Sequence, residues 1–111
     1  MPWLHIVHGP GSGTWVALDR EETVIGRSPE CGLHVPLLSM CRLHARIRQV
    51  AGQVVIEDLK SRGGTWVNGQ QIRGPTPLCQ GDQIRICDFV AVFETERLAA
   101  EESTSMTRLF Q

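Results

Sequence analysis

Three kinds of side chain in this sequence could do chemistry by their type and spacing. The first is Arg27, which sits between Gly26 and Ser28 just after the apolar pair Val24-Ile25. An arginine launched from a strand end on a loop can offer its guanidinium fork to a phosphate through two parallel charge-assisted bonds. The glycine before it permits backbone angles that other residues avoid. A solvated arginine after a glycine is the plainer reading, since most surface charges contribute little. The second kind is a pair of Cys-x-x-His segments, Cys31 to His34 and Cys41 to His44. Four such ligands would suffice for a closed tetrahedral zinc site. Leu33-His34-Val35 reads as a strand, however, and strand alternation need not bring all four together, so small buried thiols and satisfied histidines are the favoured alternative. The third kind is Trp3, Trp15 and Trp66, whose rings could stack on nucleic-acid bases or pack against the protein.

Charge and composition remove several of these options. Eleven basic against twelve acidic residues give a net charge of −1, so no global field draws the chain to nucleic acid or to an anionic membrane, and any anion binding is local. The tryptophans then read as packing residues. A cysteine–histidine nucleophile lacks a third orienting group and an oxyanion-hole sequence, which argues against an enzyme; neither a metal nor a cofactor is expected. Met1 to His8 carries no basic leader and reaches Gly9-Pro10-Gly11 too early for a signal peptide. No apolar run approaches the ~20 residues a membrane span needs. A cytoplasmic location follows as the expectation, with Cys31, Cys41, Cys79 and Cys87 as free thiols.

These residues must be positioned by strands. A chain of 111 residues is one domain long. Its 41% hydrophobic and 21% charged residues are ordinary for a folded body. Short apolar segments alternate with Gly, Pro, Asn and Asp, the rhythm of an all-β sandwich or barrel. Strands are expected at 3–8, 14–18, 22–26, 33–35, 43–50, 53–59, 65–67, 71–72, 83–87 and 89–94. In the fifth, Leu43, Ala45 and Ile47 alternate with His44, Arg46 and Arg48, which assigns the first three to a buried face and the second three to a wet one. Asn68-Gly69 is the strongest hairpin signal, because a type I′ turn needs positive φ at both central residues. Gly81-Asp82 marks another tight turn. Residues 96–111 are expected to form a C-terminal tail, a short helix or disordered, after a domain spanning 1–95.

Taken in order, four segments resemble the forkhead-associated (FHA) family. They are Gly26-Arg27, then Cys41-Arg42-Leu43-His44, then Ser61-Arg62-Gly63-Gly64-Thr65-Trp66-Val67-Asn68-Gly69, and finally Leu78-Cys79-Gln80-Gly81-Asp82. The family pattern runs Gly-Arg, Ser-Arg-x-His, Ser-x-Asn-Gly-Thr, an aromatic, Val-Asn-Gly and Leu-x-x-Gly-Asp, and the match extends over about residues 3 to 94. The resemblance implies a twisted two-sheet β-sandwich of about eleven strands (FHA/SMAD-like), with a phosphothreonine peptide held by loops at one end. It makes Arg27 the principal phosphate-binding arginine and Arg42 a further arginine of the site, often a loop stabiliser. Gly26, His44, Gly64 and Asn68 become structural residues, and Trp66 the core aromatic. Arg62 stands at the variable position that often reaches the phosphate.

Two residues depart from the pattern. Cys41 stands where the family has a serine whose hydroxyl contacts phosphate, and a thiol is the weaker partner. Gly63 stands where the family has the asparagine that bonds the ligand's main chain. Each lost bond of this kind is worth ~1–3 kcal/mol, or about ten- to a hundredfold in affinity. The expected peptide-binding set is therefore Arg27, Cys41, Arg42, Ser61, Arg62 and Gly63. The expected partner is a phosphorylated protein or peptide, the substrate of a Ser/Thr kinase. The alternative is a degenerate FHA scaffold that binds partners without phosphate, for example in a secretion or signalling assembly. Ser103, Thr104, Ser105 and Thr107, behind Glu101-Glu102, offer kinase acceptors through which the tail could dock on a neighbouring domain or on its own; the plainer reading is a solvated end.

Overall fold

Period-two alternation builds the first sheet. In β1 (Trp3–His8) Leu4 and Ile6 are buried, while the residues between them are not. In β10 (Gln83–Ile86) and β11 (Phe89–Glu94) the inward residues are Ile84, Ile86, Phe89, Ala91 and Phe93. The structure, a computed structural model, describes residues 1–96. The remaining strands are β2 (Trp15–Ala17), β3 (Glu22–Gly26), β4 (Leu33–His34), β5 (Ala45–Val50), β6 (Gln53–Asp58), β7 (Trp66–Val67), β8 (Gln70–Gln71) and β9 (Thr76–Pro77). One sheet has the order β2-β1-β11-β10-β7-β8 and the other β4-β3-β5-β6-β9. All pairs are antiparallel except β3 with β4. Ile25, Ala45, Ile47 and Ile56 of the second sheet face the inward row of the first, so the core is the layer between the sheets. At about 1.5–3 kcal/mol per fully buried aliphatic or aromatic side chain, this layer is the main source of stability.

The eleven-strand, two-sheet sandwich expected from the resemblance is the observed architecture. Asn68 and Gly69 close the β7–β8 hairpin with φ of 50° and 83°, as a type I′ turn requires. Four expectations need correction. The strand β9 was not foreseen, because Pro77 cannot donate to a ladder; it is tolerated here because β9 is a sheet edge. The fifth strand begins at Ala45, two residues later than expected. The alternation therefore fails before it: Leu43 is 56% exposed and His44 fully buried. Trp66 is not a core residue either. Val67 points inward, so Trp66 turns outward, where the Arg85 guanidinium lies 5.0 Å from its ring centroid.

Fourth, the cysteines are less enclosed than expected: all four are free, Cys31, Cys41 and Cys87 half-buried and Cys79 exposed. Trp15 stacks on His5 with centroids 4.2 Å apart. Among the described residues no helix is long and apolar enough to cross a membrane. The expected tail lies, apart from residue 96, outside the described residues, and so do its Ser103, Thr104, Ser105 and Thr107.

Candidate functional site

The end of β3 is zipped to the loop that precedes β5. His44 N–H donates to the Ile25 carbonyl at 2.9 Å, Arg27 N–H to Cys41 at 3.0 Å and Ser28 N–H to Arg42 at 3.2 Å. This close approach explains Gly26. Its φ is not positive, so the expected reason, an unusual backbone angle, is replaced by a steric one: a Cβ would overlap the Arg42 carbonyl oxygen and come 3.0 Å from Cys31 Sγ. The loop, residues 35–44, is then fastened by two thiols from other parts of the chain. Cys31 Sγ donates to the Arg42 carbonyl and Cys87 Sγ to the Ser39 carbonyl, each at 3.3 Å.

A second loop, residues 59–65, is stitched to the first through His44 and Cys41. Cys41 N–H donates to His44 Nδ1 at 3.1 Å, which requires a lone pair on that nitrogen. The other ring nitrogen, Nε2, then carries the proton and donates to the Gly64 carbonyl at 2.9 Å. Arg62 N–H donates to Cys41 Sγ at 3.2 Å. His44 thus has both ring nitrogens engaged by the two loops and has none left for a metal. Among the described residues no group of three or more His, Cys, Asp or Glu side chains is placed to hold a metal ion.

Within the second loop Asp58 is the organiser. It accepts from Ser61 N–H at 2.9 Å, Ser61 Oγ at 2.5 Å and Thr65 Oγ1 at 2.7 Å. Burial works against its ionisation, but the side-chain bonds from Ser61 and Thr65 and the Ser61 N–H outweigh it and hold the carboxyl below the usual aspartate range. Ser61 Oγ also accepts from Gly64 N–H at 2.9 Å. Gly64 has φ of 84°, and a Cβ there would meet Gln71 Nε2 at 2.5 Å; the exposed glutamine can swing aside, so it is the angle that requires glycine here. Asn68 braces a third turn: its amide donates to Asp82 Oδ1 and accepts from Gln83 N–H, both at 2.9 Å.

The two stitched loops and the end of β3 enclose an open cleft of about 250 Å³ lined by Arg27, Leu38, Ser39, Met40, Cys41, Arg42 and Arg62. No acidic residue is among these. Arg27 is half-buried and oriented by a bond from its Nε to the Met40 carbonyl at 3.1 Å. Among the described residues, the guanidiniums of Arg42 and Arg62 have no hydrogen-bond or ion-pair partner. Of the expected binding residues, Arg27, Cys41, Arg42 and Arg62 come together in this cleft, whereas Ser61 and Gly63 do not line it. The Ser61 hydroxyl is engaged by Asp58 and Gly64, and Gly63 is exposed with open space around its Cα. Leu38, 93% exposed at the cleft, escaped sequence reasoning. In Pro36-Leu37-Leu38-Ser39-Met40 nothing separates it from its partly buried neighbour Leu37 or from buried Met40.

Comparison with known proteins agrees with this architecture. The FHA domain family pattern matches residues 23–87. The chain is 34% identical over 90 residues to the oxoglutarate dehydrogenase inhibitor of Corynebacterium diphtheriae, covering 81% of this chain and 62% of that protein. It is 32% identical over 92 residues to the glycogen accumulation regulator GarA of Mycolicibacterium smegmatis, covering 83% of this chain and 58% of that one. The chain thus spans about three-fifths of the length of these relatives. Among solved structures, Mycobacterium tuberculosis EmbR in complex with a low-affinity phosphopeptide superposes with a TM-score of 0.79 at 33% identity, over 86% of this chain and 24% of EmbR. An FHA domain from a study of phosphothreonine-dependent FHA domain interactions gives 0.77 at 26% identity, over 86% and 97% of the two chains. The chain belongs to the FHA domain family.

Proposed function

We propose that this chain is a phosphothreonine-dependent protein-interaction module, acting by binding and not by catalysis, with residues 1–95 as the binding domain. The observation that carries the reading is the cleft itself: three arginines line an open space whose lining holds no carboxylate to neutralise them. Arg27, oriented through its Nε, and Arg62 supply forked donors to the phosphate, and Cys41 lies between them on the loop. The loops give recognition and the sandwich gives rigidity. The partner is a protein phosphorylated by a Ser/Thr kinase, met in the cytoplasm. EmbR's phosphopeptide complex and the regulator and inhibitor names of the relatives support a signalling role of this kind.

Titration of a fluorescent phosphothreonine peptide library against its unphosphorylated twins tests the reading. Tighter binding of phosphorylated members is expected; equal binding of both sets rejects it. A second reading, a scaffold that binds without phosphate, is favoured by Gly63 and by the Arg62 N–H already resting on Cys41 Sγ. Gly63→Asn separates the two. In a phosphopeptide reader the added amide, placed where the family bonds the ligand's main chain, raises affinity by about five- to tenfold, near 1 kcal/mol. In a phosphate-independent scaffold it changes nothing in phosphopeptide binding.

A further inference from the structure

We infer that the ligand of this cleft carries a second negative group within one or two residues of its phosphothreonine, and that Arg42 is the residue that selects it. The inference rests on the phosphothreonine reading above. It starts from a count of charge. A phosphothreonine brings about −1.5 to −2 at neutral pH, while Arg27, Arg42 and Arg62 bring three positive charges to a cleft without an acidic residue. One phosphate leaves a guanidinium uncompensated.

The geometry identifies which one. Arg27 is half-buried, follows the crowded Gly26 and is oriented onto the Met40 carbonyl, which fits it for the phosphate. Arg62 is anchored next to Cys41 by its own backbone N–H. Arg42 differs from both. The resemblance gives its side chain a loop-stabilising role, yet here the loop is held by other groups: Ser28 N–H and Cys31 Sγ bind the Arg42 carbonyl, Cys87 Sγ binds that of Ser39, and His44 Nδ1 takes the Cys41 N–H. The Arg42 backbone is fixed while its side chain is exposed and, among the described residues, has no partner. A cation launched from a fixed point, facing a cleft and free of structural duty, is suited to read a neighbouring anion.

A carboxylate and a second phosphate are both sources of that anion, and peptides distinguish them. The probes are four peptides of one sequence: unphosphorylated, phosphothreonine followed by Ala, phosphothreonine followed by Asp, and two consecutive phosphothreonines. Each is titrated calorimetrically into the full chain and into Arg42→Gln, with thermal unfolding confirming that the variant is folded. Both doubly anionic peptides are expected to bind wild type about three- to fivefold more tightly than the Ala peptide, as suits a solvent-exposed pair. The advantage should shrink with added salt. Arg42→Gln is expected to abolish the advantage, weakening the two doubly anionic peptides about three- to fivefold more than the Ala peptide, since Arg27 and Arg62 remain for the phosphate. Equal binding of the three phosphorylated peptides to wild type overturns the inference while leaving the phosphothreonine reading intact. So does an equal loss for all three in Arg42→Gln, which would make Arg42 a plain phosphate ligand. Equal binding of phosphorylated and unphosphorylated peptides fails the underlying reading instead.

Discussion

Two groups of arginines in this molecule have opposite surroundings. Arg46 and Arg48, on β5, lie among acids: Arg46 reaches Glu22 at 3.0 Å and Glu57 at 2.9 Å, and Arg48 reaches Glu57 at 3.1 Å. The hydrogen bond from Arg46, against a smaller opposing effect of desolvation, holds the Glu57 carboxyl below the usual glutamate range. Arg27, Arg42 and Arg62, on loops at one end, share a cleft with no acid at all. The same side chain is a cross-strand brace in one setting and an open cation in the other. What separates them is the supply of carboxylates, and that supply is set by strand register. Glu22 pairs with Arg48 and Glu57 with Arg46 across the ladder, whereas no ladder pair places an acid in the lining of the cleft.

The largest effect that would break this contrast is at Arg27. Arg27→Ala is expected to weaken phosphopeptide binding about 100-fold, the 2–3 kcal/mol of a charge-assisted pair, as read by calorimetric titration. A change under threefold would show that the acid-free group is not the binding group. Next is the carboxylate of the recognition loops, Asp58, which is satisfied by hydroxyl and amide donors in place of arginine. Asp58→Asn should cost about 2 kcal/mol in chemical denaturation, because the fully buried Thr65 and its neighbour Ser61 lose a charged acceptor. Its folded carboxyl titrates below the unfolded one, so the stabilisation is complete above the usual aspartate range. It is lost as pH falls through the lowered folded value. Denaturation midpoints across pH 7 to 2 should fall in that acid limb for wild type, and less for the variant. The smallest effect belongs to the paired group: Arg46→Ala should cost no more than about 1 kcal/mol of stability, the range of exposed ion pairs, and leave peptide affinity unchanged. A loss of binding there would erase the distinction.

The sequence made one side of this contrast readable and hid the other. Arg27, Arg42 and Arg62 stand in short motifs with turn residues around them, and local motifs survive in one dimension. The pairing of Arg46 is invisible there, because Glu22 and Glu57 are 24 and 11 residues away and meet it only through register. Leu43 and His44 were misplaced for a related reason. Alternation was carried two residues too far into a bend, where His44 turns inward to join two loops. The turn at Asn68-Gly69 was legible because its dihedral demand is local, while β9 was not, since Pro77 speaks against any strand until an edge position is known. Gly26 was recognised as special, but its reason, the Arg42 carbonyl in the way of a side chain, exists only in three dimensions.

That crowded glycine limits where this module can change its taste in partners. With the carbonyl of Arg42 lodged where a methyl group would go, the path of the recognition loop is inherited from the strand beneath it and cannot drift without unseating both. Room for new preferences lies in what points outward along that fixed path, at Leu38, Arg42, Arg62 and Gly63, each exposed to solvent. Diversification of the ligand would proceed there by exchange of side chains on a constant frame.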